Sequence, residues 1–273
     1  MSGFIDWTDA FDNSGYVPGS DALPGVWAER AEQYRDDLAA RGLAETGIAY
    51  GAQPRNAFDL FRPDAPARGL IVFVHGGYWQ RMDRSYFSHL AEGARARGWA
   101  VAMPSYTLAP EARISRITQE VADAIVAAAD RVSGPIRLTG HSAGGHLVSR
   151  MACADGPLPD AVAERLERVL SISGIHDLRP LLLSQMNEVL HLTEEEAAAE
   201  SPALHSPRPG LPVRFHVGAA ERPELLRQTR LIAEAWGLKG GDVADAYLPG
   251  EDHFTIVEKL ADPDSRLVAA LLG

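Results

Sequence analysis

Residues 135–149 read PIRLTGHSAGGHLVS, and the order of events within them decides the fold. The apolar run Ile136-Arg137-Leu138 ends at Thr139 and gives way to Gly140-His-Ser-Ala-Gly144. A helical pattern then starts, with Leu147, Val148 and Met151 on one side. Strand, sharp turn and helix in that order form the setting in which G-x-S-x-G acts as a nucleophile elbow. Gly140 and Gly144 carry no Cβ to obstruct so tight a turn. Ser142 can then adopt a strained conformation and lift its hydroxyl above a sheet. The same turn brings the backbone N–H of Ala143 and a helix N-terminus to face any negative charge that forms there.

Outward from the elbow, strand and helix patterns alternate. Leu70–His75 is a continuous apolar run, as expected of a strand buried on both faces, and it ends in Gly76-Gly77-Tyr78-Trp79. Further strands are predicted at 47–50, 57–61, 99–103, 168–173, 212–217 and 243–248. Helices are predicted at 24–41, 86–97, 113–132 and 221–236. In the 113–132 helix, Ile114, Ile117, Val121, Ile125 and Ala128 line one face. The alternation predicts an α/β fold with a mostly parallel central sheet and helices on both faces. Residues 178–210 break the rhythm with apolar stretches, prolines and the acidic run 193–200, and read as a small helical cap insertion within one domain. Thr193 looks like its helix cap, with Glu196 three residues on. Residues 1–22, with Phe4, Trp7, Phe11 and Tyr16, are either a frayed end or an arm that packs its aromatics onto the body.

The whole chain sets bounds on function. Its 273 residues suffice for a full core, and 46% hydrophobic with 23% charged residues is ordinary globular composition. A net charge of −11 disfavours nucleic acid and anionic membranes as partners. A small-molecule substrate is expected, and a homodimer is left open. The single cysteine, Cys153, cannot form an internal disulfide and suits a reducing cytoplasm. No secretory signal or membrane-length apolar run is read.

A serine hydroxyl needs a neighbouring base at neutral pH. On elbow-bearing sheets the partners follow as serine, acid and histidine, each after a strand. His253 follows the last strand and fits the base. For the acid, Glu221, Glu224, Asp177, Asp245 and Asp252 all qualify by type. Glu221, just past the penultimate strand, is preferred, with the role of holding the tautomer of His253 and stabilising its imidazolium. Gly76 and Gly77 would supply backbone N–H groups that complete an oxyanion hole with Ala143. His75, His141 and His146 lack a metal-binding framework, so no metal or cofactor is expected.

His75-Gly-Gly-Tyr-Trp79, together with Gly140-His-Ser-Ala-Gly-Gly-His-Leu147, resembles the α/β-hydrolase kynurenine formamidases, also called arylformamidases. The likeness runs on through Ser173–Pro180, 187–202, Pro223-Glu224 and Asp252–Glu258, covering roughly residues 70–260. It implies an α/β-hydrolase fold and cofactor-free cleavage of N-formylkynurenine to kynurenine and formate through a formyl-enzyme. Carried over, the nucleophile is Ser142 and the base His253. The family's acid, usually an Asp two residues before Pro-Glu, falls on Glu221, one methylene longer. Tyr78 and Trp79 are expected as substrate-binding walls. A small-molecule carboxylesterase with the same triad is the alternative, since HGG and GxSxG esterases share these motifs. A catalytically silent ligand-binding module is the alternative of a different class.

Overall fold

Leu70–Val74 is buried at every position because its alternate side chains feed two cores. Leu70, Val72 and Val74 join one apolar cluster, while Ile71 and Phe73 join the other. Fully burying an aliphatic side chain of this size stabilises by about 1.5–3 kcal/mol, so such a run belongs in the middle of a sheet. The computed structural model describes residues 5–273. Its strands are β1 (Ala44–Ala49), β2 (Ala57–Phe61), β3 (Leu70–Val74), β4 (Ala100–Pro104), β5 (Ile136–His141), β6 (Leu166–Ile172), β7 (Val213–Gly218) and β8 (Val243–Leu248). They form one sheet in the order β1-β2-β4-β3-β5-β6-β7-β8. The pairs β1/β2 and β2/β4 are antiparallel and the other five are parallel.

Helices cover both faces. Ile114–Ala129, Ala143–Met151 and Pro223–Leu238 bring Ile117, Val121, Leu147 and Ile232 to the first cluster. Leu23–Ala40 and Arg266–Leu272 bring Trp27, Leu38, Leu267 and Leu271 to the second. Among the described residues no helix is long and apolar enough to cross a membrane.

Three elements differ from the sequence reading. The first strand starts at Ala44 rather than at Gly47, which sits inside it at φ 68° where the register to β2 shifts. The helix expected at 86–97 is broken into turns at Arg84–Tyr86 and Ser88–Ala91 and a short helix, Glu92–Ala96. Phe87 leaves the helical conformation at the break. Its buried ring packs beside Trp27, Phe73 and His75 instead, so tertiary packing overrides local propensity. The helix expected from Glu221 begins at Pro223. Glu221 therefore lies in the loop after β7, outside the first helical turn.

The insertion forms four short helical pieces, Arg179–Leu183, Asn187–Leu190, Glu194–Ala199 and Pro202–Leu204. Thr193 caps the third by accepting from the Glu196 N–H, but the Glu196 carboxylate is spent on Arg113 and Ser115 instead of the Thr193 N–H. Only half of a capping box is made. The N-terminal segment packs onto the body from Trp7 onward, and Phe4 lies outside the described residues. Phe11 is buried, and Trp7 packs against the same cluster. Tyr78 clamps the segment: its hydroxyl accepts from the Asn13 N–H and donates to the Phe11 carbonyl, each at 3.1 Å. The insertion helps, since the Gln185 N–H donates to Thr8 Oγ1 at 2.9 Å. Asp9 also pairs with Arg222.

Candidate active site

Four loops at the carboxyl ends of β3, β5, β7 and β8 meet above the sheet, where ligands bind in open parallel sheets. The loop after β5 is the elbow. Ser142 sits at φ 57°, ψ −119°, a strained conformation for a residue with a Cβ. Its N–H is tied to the Ile172 carbonyl at 2.9 Å, and its own carbonyl accepts from His146 as the helix begins. The flanking glycines are sterically required. A Cβ on Gly144 would stand 1.9 Å from the Val74 carbonyl oxygen, and one on Gly140 would stand 2.3 Å from the Gly144 oxygen. Helix and strand approach closely enough to force the turn only because both side chains are absent.

The loops after β7 and β8 bring Glu221 and His253 together, both nearly fully buried. His253 Nδ1 lies 2.7 Å from Glu221 Oε2. The other carboxylate oxygen, Oε1, accepts from the Gly218 N–H at 2.7 Å and from the Ser173 hydroxyl at 2.6 Å. A carboxylate oxygen accepts, so the proton of the neutral imidazole resides on Nδ1 and the lone pair on Nε2. That is the tautomer able to take a proton from a serine.

The other acids proposed on type are engaged elsewhere. Asp177 pairs with Arg179 at 2.9 Å and Glu224 with Arg227 and Gln228. Asp245 accepts from the Tyr247 hydroxyl, and Asp252 caps its own turn through the Phe254 and Thr255 N–H groups.

After β3, Gly77, Tyr78 and Trp79 run through three successive positive φ values, 112°, 55° and 60°. The loop is held from beneath: the Tyr106 hydroxyl donates to the His75 carbonyl at 3.0 Å, and its ring stacks on the His75 ring at 4.4 Å. Among the described residues, the N–H groups of Gly76, Gly77 and Ala143 donate to no protein acceptor. Gly76 and Gly77 line the same cavity as Ser142, and Ala143 follows it in the chain. A Cβ on Gly76 would come 2.9 Å from that of Ser142, so the loop and the elbow touch. Unspent backbone donors in such a place can receive a developing oxyanion.

Ser142, His253, Gly76, Gly77 and Tyr78 line one cavity of about 310 Å³. Trp27, Phe87, Met82 and Phe254 give it an apolar wall, and the N-terminal segment adds Ser14, Ser20, Asp21 and Pro24. Trp79, expected as a second substrate wall, is not part of this lining. It is fully buried, with its ring edge-on to His146 at 5.3 Å. Both residues share a positive φ, yet Trp79 packs into the core while Tyr78 stays at the cavity.

Sequence reasoning passed over His141 as the variable residue of the elbow motif. Its Nε2 lies 2.8 Å from the His253 carbonyl, so it donates there and anchors the loop that carries His253. Burial, and then the neighbouring His253, hold His141 well below the ordinary histidine pKa, which keeps this donor neutral. Ser173, given no role in the sequence reading, sits at φ 52° directly after β6, and its place at the head of the family-like stretch Ser173–Pro180 was the signal that could have found it. His75 and His146 likewise donate to backbone carbonyls, those of Gly76 and Glu200, each at 2.7 Å. They are spent on structure.

The alpha/beta hydrolase family model matches residues 71–271. The chain is also 30% identical over 251 residues to the kynurenine formamidase of Salmo salar, covering 85% of itself and 83% of that protein. It belongs to the kynurenine formamidase family of α/β hydrolases. A second kynurenine formamidase, from Danio rerio, is 29% identical to this α/β hydrolase over 244 residues, again 85% of the chain and 83% of the relative. Among solved structures, a protein from Silicibacter sp. TM1040 described provisionally as a thioesterase is 46% identical. It superposes on the hydrolase with a TM-score of 0.93, over 99% of this chain and 100% of that one.

Proposed function

We propose that this protein is a serine hydrolase of aryl formamides, converting N-formylkynurenine to kynurenine and formate. The observation that carries the chemistry is the 2.7 Å contact from Glu221 to Nδ1 of His253, whose ring lines the same cavity as Ser142. The substrate class follows from the names of the relatives and is supported by the aromatic wall of Trp27, Phe87, Tyr78 and Phe254.

Ser142 Oγ attacks the formyl carbon as His253 Nε2 takes its proton. The carbonyl π electrons move to oxygen, and the resulting oxyanion accepts from the N–H groups of Gly76, Gly77 and Ala143. Glu221 stabilises the imidazolium through Nδ1. Collapse of the tetrahedral intermediate breaks the C–N bond. The leaving arylamine takes the proton back from His253 and departs as kynurenine. Water, deprotonated by His253, then attacks the formyl ester on Ser142, releasing formate and regenerating the hydroxyl. Each step uses the same three side chains and the same backbone donors.

The Silicibacter homologue favours a second reading on the same residues, hydrolysis of a thioester or ester. Both reactions pass through a tetrahedral oxyanion, so the triad serves either. The lone thiol, Cys153, is buried and pushed up to about 12 by burial, a structural group in keeping with a cytoplasmic protein. The test of the hydrolytic reading is labelling with a fluorophosphonate. The wild type should be modified on Ser142 and protected by N-formylkynurenine. The folded Ser142→Ala variant should take no label and lose several orders of magnitude in turnover. Near-wild-type turnover in that variant would overturn the assignment of Ser142 as nucleophile, whereas a wild type that neither labels nor turns over would leave a ligand-binding module as the better description.

A further inference from the structure

The cavity wall carries two formally charged side chains of opposite sign, Asp21 and Arg81. Neither is used elsewhere: no ion pair and no side-chain hydrogen bond engages Arg81 or Asp21 among the described residues, and none joins them to each other. Nearby arginines are spent, Arg84 on Asp59 at 2.8 Å and Arg55 on carbonyls and Asp83.

Both groups are nevertheless placed. The Arg81 N–H closes a turn onto the Gly77 carbonyl at 3.0 Å, and its guanidinium lies 5.2 Å above the ring of Tyr78. Tyr78 is in turn clamped to the N-terminal segment through Asn13 and Phe11. Asp21 sits in the short turn Ser20–Ala22, which the Ser20 hydroxyl ties to the Ser14 carbonyl at 2.8 Å. One unpaired cation over the Tyr78 ring and one unpaired anion in the Ser20–Ala22 turn, both exposed and lining the same cavity, are complementary to a zwitterion.

We infer that Arg81 and Asp21 form a subsite for a free α-amino acid group, Arg81 receiving the carboxylate and Asp21 the ammonium. This rests on the formamidase reading and extends it. The aryl formamide would lie against Trp27 and Phe87 near Ser142, while the amino acid end stays at the mouth. The N-terminal segment is then a specificity element, since it supplies Asp21 and fixes Tyr78 beneath Arg81.

The test pairs each charge in the protein with one in the substrate. kcat/KM is measured for N-formylkynurenine, for its decarboxylated analogue N-formylkynuramine and for formanilide, on the wild type, Arg81→Gln and Asp21→Asn. Arg81→Gln should lose roughly 10–100-fold on N-formylkynurenine, mainly through KM, as for a lost hydrogen bond to a charged group. It should change little on the two compounds without a carboxylate. Asp21→Asn should lose on both ammonium-bearing substrates and be neutral on formanilide. Arg81→Lys should recover part of the loss. Equal losses on all three substrates, or none on N-formylkynurenine, would overturn the subsite while leaving the formamidase reading intact. A wild type that cleaves esters but none of the three formamides would overturn both.

Discussion

Replacing Glu221 by Gln keeps the size of the side chain and removes its charge, and the contacts around the carboxylate dictate the consequence. Oε1 faces two donors, the Gly218 N–H and the Ser173 hydroxyl, while Oε2 faces His253 Nδ1. An amide has one oxygen for these two sides. With the oxygen toward His253, the NH2 group opposes the Gly218 N–H, and a buried donor is left unpaired at a cost of about 1–3 kcal/mol. Reversed, the oxygen satisfies Gly218 and Ser173, and the NH2 group faces Nδ1. The imidazole must then move its proton to Nε2, the nitrogen that has to accept from serine. The folded protein adopts the second arrangement and loses its base. In a well-studied serine protease the equivalent amide costs about 10⁴ in kcat by the same exchange of tautomer. We expect a 10²- to 10⁴-fold fall in kcat for Glu221→Gln, with KM and thermal stability close to wild type. Glu221→Asp, one methylene shorter, should be partly active because it cannot reach His253 and Gly218 equally well. Asp177→Asn and Asp252→Asn should cost far less. Glu221→Gln within tenfold of wild type, assayed by formate release with chemistry rate-limiting, would refute the tautomer argument.

Ser173→Ala removes one of the two donors to Oε1 and leaves Gly218, so kcat should fall by about tenfold with the fold intact; an effect beyond Glu221→Gln itself would be inconsistent with a supporting role. Gly144→Ala puts a methyl 1.9 Å from the Val74 carbonyl oxygen and should cost about 1–3 kcal/mol or more in denaturant unfolding; an unchanged midpoint would contradict the packing at the elbow. Burial lowers His75 to about 4 and His146 and His176 to about 3, below the ordinary histidine value. Their stabilising contribution is complete above pH 6.5 and is lost as pH falls, because the unfolded chain takes up protons that the native state refuses. By pH 5 the loss is on the order of 2 kcal/mol for each, so stability measured by urea unfolding should drop steeply between pH 7 and 5, and a flat profile would show that these histidines are not buried neutral.

The frame was legible in the sequence because its signals are local. The run 70–74 is apolar at every position, as a strand with two covered faces requires, and the glycines at 140 and 144 mark a turn that excludes Cβ atoms. Among five acids that qualify by type, the position after the penultimate strand and the family resemblance favoured Glu221, and Glu221 and His253 do meet. What was not legible depends on distant contacts. Trp79 and Tyr78 are neighbours in an aromatic pair, and nothing local says that one turns into the core while the other faces the cavity. His141 is the unspecified residue of the G-x-S-x-G motif, and its bond to the His253 carbonyl spans 112 positions of sequence. The break at Phe87 arises from rings contributed by Trp27 and Phe73, so helical periodicity alone could not show it. Likewise the wall formed by Ser14, Ser20 and Asp21 exists only once Tyr78 holds the N-terminal segment down.

The most direct test of the account is a comparison of kcat/KM for N-formylkynurenine against simple aryl esters, alkyl esters and an acyl thioester under identical conditions. An aryl formamidase should favour N-formylkynurenine over each of them, with the preference lost in the Ser142→Ala variant along with all turnover. Efficient cleavage of an ester or thioester with negligible release of formate from N-formylkynurenine would contradict it.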